Sequence, residues 1–370
     1  MLICVLGSQS PFAVLGVHIV RTIAAFVLND FHYVHATTMA QLNEAWQSRN
    51  DRPVVLYSDY LEPRLVDILV KSGAPMVWFL DDLQDCALYC AKARDVELRL
   101  GVVFTIQSLC SFARFIPQPF ITRLWRPGPR ATLGPLVRKI AEGYQLDATD
   151  DLVARVCQHL TGGAEEAEAA LVEDQIRKIV ATALPIGAHA SLPRSEQMML
   201  KDVLGGYSAL FGDHPTKFRW PVSFFISGSP PHAPVLGPID MTGPARCLLF
   251  GPQLSLPEGR WVAHAAFAVS ENYSGNILKV DVVSAGKVAA EAVGDLPADG
   301  RFAVSIPFEN VSNMFPVDLR IMMMSGAIEG TFELLHAWLE PLALADPAHA
   351  EPPQPVRSRR PRRRADGRRF

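Results

Sequence analysis

Gly7, Ser8, Gln9 and Ser10 follow a short apolar run and precede a longer one, so the chain turns there from strand to helix. Backbone N–H groups and hydroxyls at the head of a helix can hold an anion. No lysine follows in this turn, which excludes a Walker-type phosphate loop. His35 ends the run FHYVHA, whose alternation places Phe31, Tyr33 and His35 on one face and His32 on the other. On its residues alone, His35 reads as a ring at the core's edge, bonded to a backbone carbonyl. Asp81, Asp82 and Asp85 close another apolar run and predict a negative mouth at the end of a central strand, where open α/β sheets place their ligands. Cys86 and Cys90 stand four apart on an expected helix. With no histidine or second cysteine pair near them in sequence, they read as two buried thiols and no metal site.

These residues need a scaffold, and the first hundred supply one. Short apolar runs alternate there with helical patterns, the signature of a parallel sheet with crossover helices. Strands are expected at Ile3–Leu6, Phe31–Ala36, Pro53–Tyr57 and Pro75–Leu80, with helices at Phe12–Leu28, Met39–Arg49, Pro63–Ser72 and about Leu83–Arg94. From Val102 to about Phe211 the pattern is helical, including one helix over Ala164–Leu184 with Glu165, Glu166 and Glu168 in its first turns. Beyond Pro215 the period falls to two: Trp261, Ala263, Ala265, Phe267 and Val269 alternate with their neighbours, as do Phe302, Val304, Ile306 and Phe308, then Val317, Leu319, Ile321 and Met323. The expected fold is an α/β parallel-sheet domain with a helical extension over 1–226, a Pro/Gly linker over 227–238 and an antiparallel, jelly-roll-like β-sandwich over 239–344. An Arg-rich tail over 345–370 is expected to be disordered. The two folded parts are expected to separate on proteolysis in the linker.

The chain of 370 residues has a formal charge of −3, but residues 346–370 hold eight arginines and three acids, leaving −8 on the rest. A body of that sign is unsuited to nucleic acid, which needs a basic stripe on the fold. The six scattered cysteines point to a reducing compartment, and the expected location is cytoplasmic. Residues 11–28 are apolar but carry His18 and Arg21, so they read as a buried helix without a transmembrane role. A strand beginning at the first residue is expected to leave no room for a cleaved leader. His214 and His232, near the linker, read as surface loop residues.

The turn VLGSQSPFAVLGVHIV, the pair PVVLYSDYLEPRLVDILVKSGA and the stretch PMVWFLDDLQDCALYCAKAR together resemble the sulfotransferase family over roughly residues 1–115. That family has a phosphate loop after its first strand and a later apolar strand ending in Arg-Asp-Pro. Here Asp81 stands at the motif arginine, Leu83 at its proline and about Tyr89 at the following serine. The resemblance implies 3′-phosphoadenosine 5′-phosphosulfate as the cofactor, Gly7, Ser8, Gln9 and Ser10 as its cradle, and His35 as the catalytic base. The later stretch GPQLSLPEGRWVAHAAFAV, with ILKVDVVS, looks like sandwich modules appended to glycan-acting enzymes, including carbohydrate-binding ones. Sugar recognition then asks for an exposed aromatic. Trp261 and Trp338 lie in alternating strands and read as core, which leaves Tyr273, in a turn, as the substrate-binding candidate. The expected function is that of a divergent sulfotransferase-like protein of bacterial surface-glycan metabolism, the alternative a noncatalytic glycan-binding or assembly scaffold. Expected partners are a glycan or glycolipid and, for the basic tail, an anionic partner or membrane surface.

Overall fold

The structure is a computed structural model that describes residues 2–211 and 217–342. Its α/β part holds β1 (Leu2–Gly7), α1 (Pro11–Leu28), β2 (His32–His35), α2 (Met39–Ser48), β3 (Val54–Ser58), α3 (Pro63–Ser72), β4 (Met76–Leu80), α4 (Leu83–Arg94), α5 (Leu98–Ser111), β5 (Ile121–Trp125), α6 (Leu133–Gly143), α7 (Asp150–Thr161), α8 (Val172–Ile179) and α9 (Arg194–Ser208). The sandwich holds β6 (Phe218–Trp220), β7 (Ile226–Ser227), β8 (Ile239–Asp240), β9 (Arg246–Leu254), β10 (Gly259–Ser270), β11 (Ile277–Ser284), β12 (Lys287–Asp295), β13 (Gly300–Asn310), β14 (Val317–Met323) and β15 (Thr331–Pro341).

The first sheet is parallel, in the order β2-β3-β1-β4-β5. Alternation along buried strands sends successive side chains to opposite layers. Ile3 and Val5 meet α1, α6, α7 and α8, while Cys4 and Leu6 face the layer of α3, α5 and α9. Local chemistry starts the helices where the sequence placed them: Ser10 caps α1 ahead of Pro11, Thr38 and Gln41 form a capping box on α2, and Asp82 caps α4. Helix α1 is long and apolar enough to cross a membrane, yet here it packs in the α/β core.

The sandwich is two antiparallel sheets, β13-β10-β15-β6 with β8 beside β15, and β12-β11-β14-β9-β7. Trp261, Ala263, Ala265, Phe267 and Val269 of β10 are all buried between them, as their alternation requires.

Three details differ from the sequence reading. The stretch read as wholly helical contains β5, whose five residues carry two exposed side chains, Arg123 and Trp125, and so lack the apolar run that marks β1 and β4. Ala164–Leu184 is not one helix: a single 3-10 turn, Ala167–Ala169, precedes α8, and Glu165, Glu166 and Glu168 lie ahead of that helix. Strands β6 and β7, read as the end of the α/β part, pair with β15 and β9 of the sandwich. Residues 227–238 make backbone bonds back to the sandwich, from Gly228 N–H to Leu248 O and from Val235 N–H to Phe225 O. The tail over 345–370 and His214 lie outside the described residues. His232 is an exposed loop residue, as read.

The two parts share one apolar core that runs from Leu56 and Trp78 to Leu249 and Val282. Buried hydrogen bonds cross with it: Tyr207 Oη donates to Ser255 O at 2.9 Å and Asn313 Nδ2 to Cys110 O at 3.0 Å.

Candidate functional site

β2 and β3 are neighbours, with His35 in register with Tyr57. Asp59, two residues beyond Tyr57, therefore comes level with the imidazole. His35 Nε2 lies 3.0 Å from Asp59 Oδ1, and the His35 ring rests 5.0 Å from the ring of Tyr57 at 32°. Gln9 Nε2 donates to the other Asp59 oxygen at 3.3 Å, and Gln9 Oε1 accepts from Cys90 Sγ at 2.9 Å. Cys90, Gln9, Asp59 and His35 thus form one hydrogen-bonded line across the carboxyl ends of β1, β3 and β2. His35 is not the carbonyl-bonded ring that its residues alone suggest. It is half of an imidazole–carboxylate pair. Asp59 follows β3 in the run YSDY and sequence reasoning passed it over; the signal was an acid just past a strand that neighbours the histidine's own.

Hydrogen bonding to Asp59 raises the His35 pKa above 6.5, with partial burial opposing and the carboxylate's charge assisting. With Nε2–H on Asp59, the free lone pair of the neutral ring is on Nδ1, which has no hydrogen-bond partner among the described residues. Because the folded value is raised, the pair's contribution to stability is present below 6.5 and fades as pH rises through the folded value. Asp59→Asn should move the NMR titration midpoint of the His35 ring downward. A midpoint that stays where it was would show that the carboxylate does not govern this imidazole.

The turn Gly7–Ser10 is a packed corner. Ser8 donates both its N–H, at 3.1 Å, and its hydroxyl, at 3.3 Å, to Phe79 O, while Ser10 Oγ accepts from Ala13 N at 3.2 Å. A Cβ on Gly7 would lie 2.8 Å from Ala13 Cβ and 3.1 Å from the Tyr57 ring, so only glycine fits there. Pro11 offers no N–H. The N–H groups of Gln9, Ser10 and Phe12 remain as donors without internal partners among the described residues. With no lysine, and with the Ser8 hydroxyl turned onto Phe79 O, this corner does not fit the phosphates of 3′-phosphoadenosine 5′-phosphosulfate in the sulfotransferase manner.

Asp81, at the position of that family's arginine, does not form a negative mouth. It is buried, and its Oδ2 lies 3.2 Å from Arg126 Nη1. Arg126 in turn holds Glu173 through Nε and Nη2, each at 2.9 Å. Asp82 caps α4, and Asp85 accepts from Gly187 N at 2.6 Å and His189 N at 3.1 Å, with His189 Nδ1 2.8 Å away. These three are the one group of potential metal ligands among the described residues, and backbone donors already engage both carboxylates. Cys86 and Cys90 are the buried thiols expected.

Tyr273 lies on the loop joining β10 to β11, is 71% exposed, and is not part of the cluster around His35. Trp261 is core as read, whereas Trp338 is half-buried on the opposite face of its sheet, stacked on His264 at 4.8 Å with Lys217 Nζ 4.5 Å from its ring centre.

No family model and no curated protein matches the chain. Solved structures resemble it in two separate regions. A mouse sulfotransferase complexed with PAP matches at 11% identity with a TM-score of 0.37, over 54% of this chain and 82% of that one. A family 16 carbohydrate-binding module matches at 12% identity and TM-score 0.22, over 33% of this chain and 87% of that one. TmCBM61 in complex with β-1,4-galactotriose matches at 10% and 0.23, over 38% and 96%.

Proposed function

We propose that this chain is a divergent sulfotransferase-like protein of bacterial surface-glycan metabolism that engages a glycan hydroxyl at the His35–Asp59 pair. The line Cys90–Gln9–Asp59–His35 carries this reading, because it sets a half-exposed, oriented imidazole at the carboxyl edge of a parallel sheet. Such a ring accepts a hydroxyl proton at Nδ1. The missing lysine and the Ser8 hydroxyl turned onto Phe79 O favour a second reading, noncatalytic glycan binding, in which the same ring only hydrogen-bonds the sugar. Tyr273 is a further glycan contact under either reading, and six free cysteines support a cytoplasmic location.

Calorimetric titration with adenosine 3′,5′-bisphosphate should give no heat of binding up to millimolar ligand. Micromolar binding would overturn the reading that the donor site is lost. An uncharged oligosaccharide should shift the His35 ring resonances, and an unmoved ring would remove the dyad from glycan recognition. Sulfonate transfer to the oligosaccharide from 3′-phosphoadenosine 5′-phosphosulfate, with release of adenosine 3′,5′-bisphosphate and loss in His35→Ala, would likewise overturn the lost-donor reading and decide for the enzyme over the binding protein.

A further inference from the structure

At the other end of the same sheet, β5 is the outer strand, bonded only to β4 among the described residues. Arg123 and Trp125 alternate along it and are both exposed, Trp125 by 49%. Arg130 lies in the turn before α6, and Lys139 sits on the helix face of Pro135 and Leu136, four and three residues back. These residues, with Thr132, line a cavity of about 550 Å³. No acidic residue lines it, and Arg123, Arg130 and Lys139 make no ion pair among the described residues. Arg126, the fourth cation there, is taken up by Asp81 and Glu173.

On a body with a net charge of −8 before the tail, three unneutralised cations around one cavity repel one another and create a local field of the opposite sign. Trp125 adds a flat apolar surface, held edge-on by Phe211 with ring centres 5.2 Å apart. We propose that this cavity binds a saccharide carrying sulfate or phosphate esters, its cations pairing with the esters and Trp125 stacking on a sugar ring. The inference does not depend on the His35–Asp59 reading. Three strand spacings, about 15 Å, separate β3 from β5, so each site can be altered alone.

The test is titration calorimetry on the full chain with a sulfated tetrasaccharide, its desulfated counterpart and a phosphorylated sugar. At least one esterified saccharide should bind, more weakly as salt is raised, and the desulfated chain should not. The combined variant Arg123→Gln, Arg130→Gln, Lys139→Gln should lose about tenfold or more in affinity, and Trp125→Ala should weaken binding separately. Changing the eight tail arginines to glutamine should leave the groove-dependent part intact. An unchanged His35 titration in the groove variant verifies the fold. Failure of both esterified saccharides to bind, equal affinity in the groove variant, or binding lost only with the tail arginines would overturn the proposal. Displacement of the saccharide by adenosine 3′,5′-bisphosphate would also overturn it, in favour of a nucleotide.

Discussion

Arg126→Met should lower the free energy of unfolding by about 3–5 kcal/mol, because it leaves two buried carboxylates without their common partner. The guanidinium donates to Glu173 twice, to Asp81 and to Leu184 O, and the carboxylates' side chains are only 4% and 7% exposed. Burial pushes the Asp81 carboxyl up to about 6 even with Arg126 opposing. A carboxyl whose folded pKa lies above its unfolded value favours the folded state more as pH falls through that folded value. The loss in Arg126→Met should therefore be smaller at mildly acid pH than at neutrality. Urea denaturation at the two pH values measures both effects; a loss below about 1 kcal/mol, or one insensitive to pH, would show that the triad is already solvated. The same burial predicts the outcome of Asp81→Arg, the residue the sulfotransferase pattern has at this place. Two guanidiniums would face each other out of water, so the fold would suffer before any anion site appeared.

Phe218→Ala should cost about 3–5 kcal/mol and should do so for both parts of the molecule at once. The ring is fully buried between Tyr207 of α9, 4.8 Å away, and Trp261 of β10, 5.0 Å away, in each case edge to face. It is a side chain of the sandwich's first strand seated against a helix of the α/β part. Helical circular dichroism and near-ultraviolet signals from the sandwich tryptophans should fall in one transition, displaced together in the variant. Two resolved transitions, only one of which moves, would restore the two separable domains expected from the sequence.

Period and turn chemistry made much of this fold legible. The apolar runs of β1, β3 and β4 and the alternation of β10, β13 and β14 are set by burial on two faces or one, which a linear pattern records directly. Strands β6 and β7, at three and two residues, are too short to display any period, and their membership is fixed by partners 117 to 121 and 22 to 24 residues downstream, respectively. The site divides along the same line. His35 and the Gly7–Ser10 corner were visible because strand ends are. The partners that determine what those residues do, Asp59 for His35 and Arg126 for Asp81, arrive through the order of strands in the sheet, which no local window contains.

The sandwich begins and ends at one corner: Lys217 Nζ lies 3.3 Å from Glu340, and Phe218 is paired with Leu339. Modules whose ends meet in this way can be grafted into a host loop without stretching it. Connectivity alone would therefore make 217–342 portable. Its packing does not, since Phe218, Ser255 and Asn313 all find partners in the α/β part. Transplanted elsewhere, the module would carry an apolar scar where Tyr207 and Cys110 had been, and a new host would have to supply a face of the same shape.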